Sequence, residues 1–247
     1  MLLRCLVLIA TAAGILAAAD SKDIHKTFPL DSHGSVTIDT YKGSIHVTTW
    51  DRNEVDVSVR IEEDGDVFSQ SVKRADVRFD ASPRDIRIKS DSQWFFLDGV
   101  SPLYQYTIKM PRTANLRIKD YKSESDITDL ASDLQFNTYK GSLQLRNFTG
   151  GLTVNTYKGD IHADFAAVTA PVRIDTYKGD IDLRMSRESR FDLSTDIGRR
   201  RGDPDNDFAR YVKTSNSRDR VHRSQVNGGG PEVRVRSYKG EFRLRAR

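Results

Sequence analysis

A short repeated segment constrains the fold of this 247-residue chain more than any other feature of its sequence. The segment reads Thr-Tyr-Lys-Gly in its clearest copies, followed by a polar and then an apolar residue. Its tyrosines recur at a nearly constant interval, at Tyr121, Tyr139, Tyr157 and Tyr177. A fixed period of this size indicates repeated units that pack on their neighbours. The copies occupy residues 39–45, 137–143, 155–161, 175–181 and 236–242, with degenerate copies at 121–123 and 195–198.

The flanks of each copy alternate between apolar and polar residues, which is typical of a β-strand with one buried face. Val172 and Ile174 before the motif share one parity, whereas Ile181 and Leu183 after it have the other. The Lys-Gly pair must therefore absorb one residue of register as a tight bend or bulge. Glycine suits this position because it tolerates positive φ.

Two short strands and two turns in each repeat of about 18–20 residues make one coil of a β-solenoid, and coils must stack to share a core. The sequence therefore predicts an all-β, single-domain β-solenoid, similar to a β-helix or β-roll, with almost no helix. We expect regular coils over residues 112–198, with longer strands before them over residues 20–111. Residues 199–230 are expected to form a loop or hairpin excursion, and residues 231–247 a terminal coil.

Residues 1–19 are typical of a secretory signal peptide. Arg4 precedes an apolar run, and Ala17-Ala18-Ala19 matches a cleavage pattern of small residues. A retained anchor is the alternative, but the uncharged run from Cys5 to Ala19 is shorter than the ~20 residues that a spanning helix needs. We expect a mature chain that is periplasmic or extracellular and has no transmembrane segment. With a single cysteine, a disulfide framework is excluded.

Several other sequence segments point to a known family. They are Gly34-Ser35-Val36-Thr37-Ile38, the Trp50–Val57 segment, the Tyr104–Pro111 segment, the Gly-Asp-Ile turns and Asn227-Gly228-Gly229-Gly230-Pro231. Together they resemble the bacterial "putative adhesin" family, a domain of unknown function, over about residues 30–247. The resemblance implies an exported, non-enzymatic, β-solenoid-like protein and offers no catalytic residues. Tyr-Lys-Gly stands here in turns that more often resemble Ser-Gly in that family.

The tyrosine and lysine of the repeat are the main candidates for a binding site. If the preceding threonines point inward, the tyrosines point outward and stack one coil apart, with lysines close enough for cation–π contacts. Asn137, Asn155 and Asp175 would form a polar column beside them. The alternative is that these ladders only hold the coils in register. The predicted binding residues are Tyr139, Lys140, Tyr157, Lys158, Tyr177 and Lys178.

The C-terminal part of the chain is a second candidate because it is strongly basic. Residues 199–247 hold 14 Lys and Arg against 6 Asp and Glu. The hypothetical basic patch consists of Arg234, Arg236, Arg243 and Arg245, and it would face an anionic polymer, a lipid headgroup or an acidic partner. The alternative is that arginines on an exposed terminal strand discourage pairing between sheet edges.

Catalysis and cofactor binding find little support in the sequence. The histidines lack a metal-binding spacing such as His-Glu-x-x-His, and His46 and His162 occupy equivalent positions on a solvated strand face. Asp160, Asp180 and Asp182 could gather calcium on adjacent coils, but the interspersed lysines oppose such a site. We expect no catalytic residues, no metal and no cofactor.

The function expected from these features is that of an exported, non-enzymatic, adhesin-like protein of the cell envelope. It would present a repetitive Tyr-Lys face to polysaccharide or another anionic polymer. The alternative is an envelope-stress or regulatory accessory protein that binds another protein or the membrane surface. A polysaccharide lyase or hydrolase is a remote third possibility. Nucleic acid is not expected as a partner, and the oligomeric state is left open.

Overall fold

A computed structural model describes residues 21–63, 71–91, 102–198, 205–208, 212–215 and 221–247. The predicted signal peptide, residues 1–19, lies outside the described residues, as does part of the predicted excursion at 199–230. In the described ranges, no helix has the length and apolar character needed to cross a membrane.

Nearly all regular structure in the described residues is β-strand, and helix α1 (Ser71–Arg74) is a single turn. The strands are β1 (Ser21–Pro29), β2 (Ser35–Asp39), β3 (Lys42–Trp50), β4 (Glu54–Glu62), β5 (Val77–Ala81), β6 (Asp85–Ser90), β7 (Leu103–Pro111), β8 (Asn115–Asp120), β9 (Lys122–Thr128), β10 (Leu134–Thr138), β11 (Ser142–Phe148), β12 (Leu152–Lys158), β13 (Ile161–Phe165), β14 (Val172–Lys178), β15 (Ile181–Met185), β16 (Phe191–Ile197), β17 (Asp205–Asn206), β18 (Val212–Ser215), β19 (His222–Val226), β20 (Glu232–Lys239) and β21 (Phe242–Ala246).

These strands form two long sheets that are mostly parallel. The first sheet has the order β1-β4-β7-β3-β9-β11-β13-β15-β21-β17. The second has the order β18-β19-β16-β20-β14-β12-β10-β8-β2-β6-β5. Each regular coil contributes one strand to each sheet, so that β10 and β11 belong to one coil and β12 and β13 to the next. The prediction of an all-β, β-solenoid-like fold is confirmed.

The parity of the strands places the apolar residues between the two sheets. Phe136 in β10 pairs with Val154 in β12, and both side chains are fully buried. After the turn, Leu145 in β11 pairs with Ala163 in β13, and both are buried as well. The buried parity changes across each Lys-Gly pair, as the sequence indicated, because the chain must turn its other face inward when it enters the opposite sheet.

The coils are not stacked in the order of the sequence. The β2–β3 coil lies between β6–β7 and β8–β9, and the β20–β21 coil lies between β14–β15 and β16–β17. Residues 231–247 are therefore the last coil along the chain but an interior coil in space. The interpretation that their arginines protect an exposed edge strand is wrong, because β20 pairs with β14 on one side and with β16 on the other.

Antiparallel strands complete the two ends of the solenoid. β1 pairs with β4, and β5 pairs with β6, at the N-terminal end. The rings of Phe28 and Phe79 contact each other with centroids 5.5 Å apart, which joins the two sheets at this edge. At the other end, β19 pairs antiparallel with both β16 and β18.

Candidate functional site

In the coils that carry it, the repeated motif forms the turn that joins the second sheet to the first sheet. Tyr157 and Lys158 are the last residues of β12. The backbone N–H of Lys158 donates to the carbonyl of Tyr139 at 2.9 Å, and that of Lys140 donates to the carbonyl of Tyr121 at 2.8 Å. Because the turns are hydrogen-bonded in register, equivalent side chains lie above one another.

Glycine at the bend permits the coils to approach this closely. A Cβ atom at Gly159 would lie 1.8 Å from the carbonyl oxygen of Gly141, and one at Gly240 would lie 1.9 Å from that of Gly179. Gly179 and Gly240 also have φ values of 148° and 135°, which side chains disfavour. The spacing between coils at the site therefore depends on the glycine column, which comprises Gly141, Gly159, Gly179 and Gly240.

Six tyrosines stack along this edge of the solenoid and form what we call the tyrosine ladder. The stack predicted for Tyr139, Tyr157 and Tyr177 is present, and it extends by two rings on one side and one ring on the other. Adjacent ring planes differ by 2° to 17°. The centroid distances are Tyr41–Tyr121 4.9 Å, Tyr121–Tyr139 5.0 Å, Tyr139–Tyr157 5.0 Å, Tyr157–Tyr177 4.9 Å and Tyr177–Tyr238 5.0 Å.

The ladder presents ring edges to solvent and hides ring faces. Tyr139 and Tyr157 are 41% and 46% exposed, yet each has a stacked ring on both sides. A sugar that stacks on an aromatic ring needs a free face. Such stacking is therefore sterically excluded at Tyr139, Tyr157 and Tyr177 while the ladder is intact. What these residues offer a ligand is a row of phenol edges.

Beside the ladder runs a lysine column, which comprises Lys42, Lys122, Lys140, Lys158, Lys178 and Lys239. The strand register pairs Lys42 with Lys122, and it pairs Lys178 with both Lys158 and Lys239. Neighbouring strands are ~4.8 Å apart, so the backbone positions of these lysines repeat at about that distance. The lysines from Lys122 onward are exposed.

Two members of the lysine column contact the ladder rings. The Lys140 ammonium lies 5.4 Å from the centroid of Tyr139, and the Lys239 ammonium lies 5.5 Å from that of Tyr177. Lys158 and Lys178, for which we also predicted cation–π contacts, make none with a described ring. Within the described ranges, no ion pair joins Lys122, Lys140, Lys158, Lys178 or Lys239 to a carboxylate.

The residue before each ladder tyrosine points into the solenoid. Thr156 and Thr176 are each 7% exposed. In the β8–β9 coil this position holds Asp120, and burial raises the pKa of its carboxyl to about 6, although the nearby polar side chains of Thr138 and Ser123 act in the opposite direction. Asp120 is not among the residues predicted from the sequence, although it occupies the threonine position of a degenerate copy.

The predicted polar column runs along the outer face of the second sheet. The Asn155 side-chain amide donates to the Asn137 side-chain oxygen at 2.9 Å. Asp175 continues the column and lies 3.7 Å from a guanidinium nitrogen of Arg236. This column therefore provides contacts between neighbouring coils, one between Asn155 and Asn137 and one between Asp175 and Arg236.

The three aspartates considered for calcium are occupied by other contacts. Asp160 Oδ1 accepts the backbone N–H of Asp180 at 2.8 Å, and Asp180 Oδ1 accepts that of Glu241 at 2.8 Å. Asp182 lies 3.7 Å from Arg184 and 3.4 Å from Arg245. Among the residues that the structure describes, no group of three or more His, Cys, Asp or Glu side chains is arranged to hold a metal ion.

The four arginines of the predicted basic patch fall on opposite faces of the solenoid. Arg234 and Arg236 lie on β20 in the second sheet, and Arg243 and Arg245 lie on β21 in the first sheet. Three of them have an acidic partner: Arg236 pairs with Asp175, Arg243 with Glu241 and Arg245 with Asp182. These residues therefore do not form one continuous basic surface, because the fold divides them between two sheets.

Comparison with protein families identifies the fold. Residues 14–245 match the model of the Toastrack DUF4097 family. The chain belongs to this family. The match covers nearly the whole chain, which confirms the resemblance that the glycine turns and strand phrases indicated. No curated protein matches this Toastrack chain significantly.

Three solved structures are similar to this Toastrack protein. A putative cell adhesion protein from Clostridium sporogenes ATCC 15579 is 10% identical, with a TM-score of 0.48, over 92% of this chain and 100% of that one. A putative adhesin from Bacteroides fragilis NCTC 9343 is 10% identical, with a TM-score of 0.31, over 92% and 97%. A putative adhesin from Parabacteroides merdae ATCC 43184 is 11% identical, with a TM-score of 0.24, over 90% and 96%.

Proposed function

We propose that this Toastrack protein is an exported, non-enzymatic, adhesin-like protein of the cell envelope. Its tyrosine ladder and lysine column together form one binding face for polysaccharide or another anionic polymer. The face is rigid and repetitive, so affinity comes from many equivalent weak contacts along one line and not from a pocket.

The observation that carries this proposal is the lysine column. Lys122, Lys140, Lys158, Lys178 and Lys239 are exposed, lie in adjacent coils, and have no carboxylate partner among the described residues. Elsewhere on the solenoid, opposite charges meet across coils, as Arg146 and Asp126 do at 2.9 Å. What distinguishes the edge that carries the tyrosines is that these ammonium groups follow one another in adjacent coils, so that one external anion can contact several of them.

The second candidate, an accessory protein that docks through its basic C-terminal part, is less well supported. Arg236, Arg243 and Arg245 are engaged by acidic residues of this chain. A docking role would fall instead on the residues of the 199–230 excursion, some of which lie outside the described ranges. For the third candidate, a lyase or hydrolase, the described residues offer no group of acidic, histidine or cysteine side chains that could hold a catalytic metal ion.

Co-sedimentation with purified, insoluble envelope polymers tests the proposal. The protein from Asp20 to Arg247 should pellet with polymer without releasing reducing ends. A Lys140→Gln/Lys158→Gln/Lys178→Gln variant should bind about 10-fold more weakly, because three ion pairs are lost. The matched control, Lys26→Gln/Lys89→Gln/Lys109→Gln, removes three exposed lysines elsewhere and should behave like the wild type.

A Tyr139→Ala/Tyr157→Ala/Tyr177→Ala variant, checked for folding by circular dichroism, separates the ladder from the lysines. If it folds and still pellets fully, the ladder is scaffolding and the lysines alone bind. If neither the wild type nor any variant pellets with any polymer, the proposed function is wrong. The partner should then be sought among envelope proteins.

A further inference from the structure

We infer that the ligand of this face is an extended polyanion that lies along the solenoid axis, with successive carboxylate or phosphate groups paired to successive lysines. This inference rests on the proposed function and specifies its ligand. It excludes neutral polysaccharide as the recognised class.

The lysine column concentrates positive charge along one edge. The backbone positions of five of its lysines, from Lys122 to Lys239, repeat at the ~4.8 Å spacing of the strands, and these lysines have no carboxylate partner in the described part of the chain. Like charges carried on such closely spaced positions repel one another, and the repulsion is relieved by an anion that bridges them. One small anion would neutralise one or two positions, whereas a polymer neutralises all of them.

The carboxylates that lie near the lysines in the chain are engaged by other groups. Asp160 and Asp180 lie shortly after their lysines in the chain, but their Oδ1 atoms accept backbone N–H groups of the neighbouring turn. Glu241 contacts Arg243. These acids stabilise the turns and leave the ammonium groups without an internal counterion.

The tyrosines also disfavour a neutral sugar, because their stacked rings leave no face free between Tyr41 and Tyr238 on which a sugar could stack. Their phenol hydroxyl groups can instead donate hydrogen bonds to anionic oxygens. The rings repeat every 4.9–5.0 Å, close to the ~4.8 Å spacing of the strands that carry the lysines. Both groups therefore favour a ligand with regularly spaced oxygens on a straight line.

The geometry also sets the length of ligand that the face can use. Six tyrosines at 4.9–5.0 Å span five steps. A polyanion whose charged groups repeat at the strand spacing of ~4.8 Å would meet every lysine, and one with twice that repeat would meet every second lysine. Affinity should rise with chain length until the polymer covers the six coils, and then level off.

Salt dependence of binding tests the inference directly. Dissociation constants are measured at several salt concentrations for inorganic polyphosphate, for polygalacturonate of graded length and for neutral dextran. For a polyanion, the slope of log K against log salt reflects the number of ion pairs formed. The lysine-column variant, Lys140→Gln/Lys158→Gln/Lys178→Gln, should reduce that slope by about 2–3. The control variant at Lys26, Lys89 and Lys109 should leave the slope unchanged.

The outcomes distinguish this inference from the proposed function. Binding of polyphosphate or polygalacturonate with the expected loss of slope supports the inference, and whichever polymer binds identifies the anion. If dextran or another neutral polymer binds equally well and independently of salt, the proposed function stands and the inference is overturned. If a polyanion binds but the control variant loses as much slope as the lysine-column variant, the site is elsewhere and the inference is overturned. If no polymer binds, both are wrong.

Discussion

Coils β8–β9 and β20–β21 depart from the regular repeat in opposite ways. β8–β9 keeps its place beside β10–β11 but has lost the motif, since it carries Asp120-Tyr121-Lys122-Ser123 in place of Thr-Tyr-Lys-Gly. β20–β21 keeps most of the motif, as Ser237-Tyr238-Lys239-Gly240, but lies between two coils that precede it in the chain. Both nevertheless continue the tyrosine ladder with rings 4.9–5.0 Å from their neighbours.

These two coils show that the ladder depends on the register of the tyrosine within its coil. Neither an intact motif nor the sequential order of the coils is required. Backbone pairing places Asp120 opposite Thr138 and Ser237 opposite Thr176. Once these residues are paired, the following tyrosines must stack. Variants that disturb either coil, or that compare it with a regular coil, test this conclusion.

The largest effect is expected when the β20–β21 coil is deleted. Removing residues 231–247 exposes the inner edges of β14, β15 and β16 and takes four buried side chains out of the core: Val233, Val235, Phe242 and Leu244. Each is worth ~1.5–3 kcal/mol, which together approaches the whole ~5–15 kcal/mol of a typical domain. Circular dichroism and thermal melting should show loss of the cooperative transition.

A synthetic peptide of residues 231–247 serves as the control for this deletion. If the truncated chain keeps the gap between the β14–β15 and β16–β17 coils, the added peptide should fill it and restore part of the cooperative thermal transition. Deletion of Arg247 alone should have little effect on the melting temperature. A truncated chain that melts like the full-length protein would show that the inserted coil is dispensable.

The next effect concerns the glycine column. Gly159→Ala in a regular coil and Gly240→Ala in the inserted coil each place a Cβ within 2 Å of a backbone carbonyl. Each should destabilise the protein by about 3 kcal/mol, at the upper end of the usual cost of overpacking. Urea denaturation measures both. Gly151→Ala is the control, because its Cβ would meet the side-chain oxygen of Asp133, which can move. A much smaller loss at Gly240 than at Gly159 would mean that the inserted coil is packed more loosely.

Asp120→Thr should repair the degenerate motif of the β8–β9 coil. The pKa of Asp120 is raised to about 6 in the folded protein, so between pH ~4 and ~6 the folded state holds a proton that the unfolded state has released. The free energy of unfolding of the wild type therefore falls as pH rises through this window and stays low at higher pH. The advantage of Asp120→Thr over the wild type in free energy of unfolding should grow by about 2 kcal/mol from pH 4 to pH 7.

Urea denaturation at several pH values between 4 and 7 measures this difference. Asp126→Thr on the outer face is a control for removal of an aspartate, because the carboxyl of Asp126 is one-third exposed and paired with Arg146. A stability difference between Asp120→Thr and the wild type that does not change with pH would contradict the assignment of Asp120 as a buried, titrating group.

The smallest effect is expected at the ladder itself. Tyr157→Ala removes two ring contacts, each worth ~0.5–1.5 kcal/mol, while Tyr157→Phe keeps both. The alanine variant should lose about 1–2 kcal/mol by urea denaturation, and the phenylalanine variant almost nothing. Tyr238→Ala, at the end of the ladder, breaks one contact and should lose about half as much. Equal losses at both positions would contradict a contribution from stacking.

Much of the fold could be predicted from the sequence because it is encoded locally. The alternation of apolar and polar residues around Phe136 and Leu145 predicts which face of each strand is buried. The nearly constant period of the motif predicts that the coils stack. The same parity places Tyr139, Tyr157 and Tyr177 outside. These inferences require only the geometry of a strand, whose side chains alternate between two faces.

The order of the coils and the full extent of the site could be decided only by the tertiary structure. The copies of the motif are so alike that many coil orders give equivalent pairing, so the local pattern does not identify neighbours. Contacts between residues far apart in the chain, such as Arg236 beside Asp175 and Arg245 beside Asp182, join the inserted coil to its neighbour. Strand parity alone is enough to predict that each Tyr-Lys copy of the motif forms a turn with its tyrosine and lysine outside, because side chains alternate between the two faces of a strand. Pairing between coils that are distant in the chain is what aligns six of these turns, covers the ring faces, and leaves the lysines from Lys122 to Lys239 without a carboxylate partner in the described part of the chain.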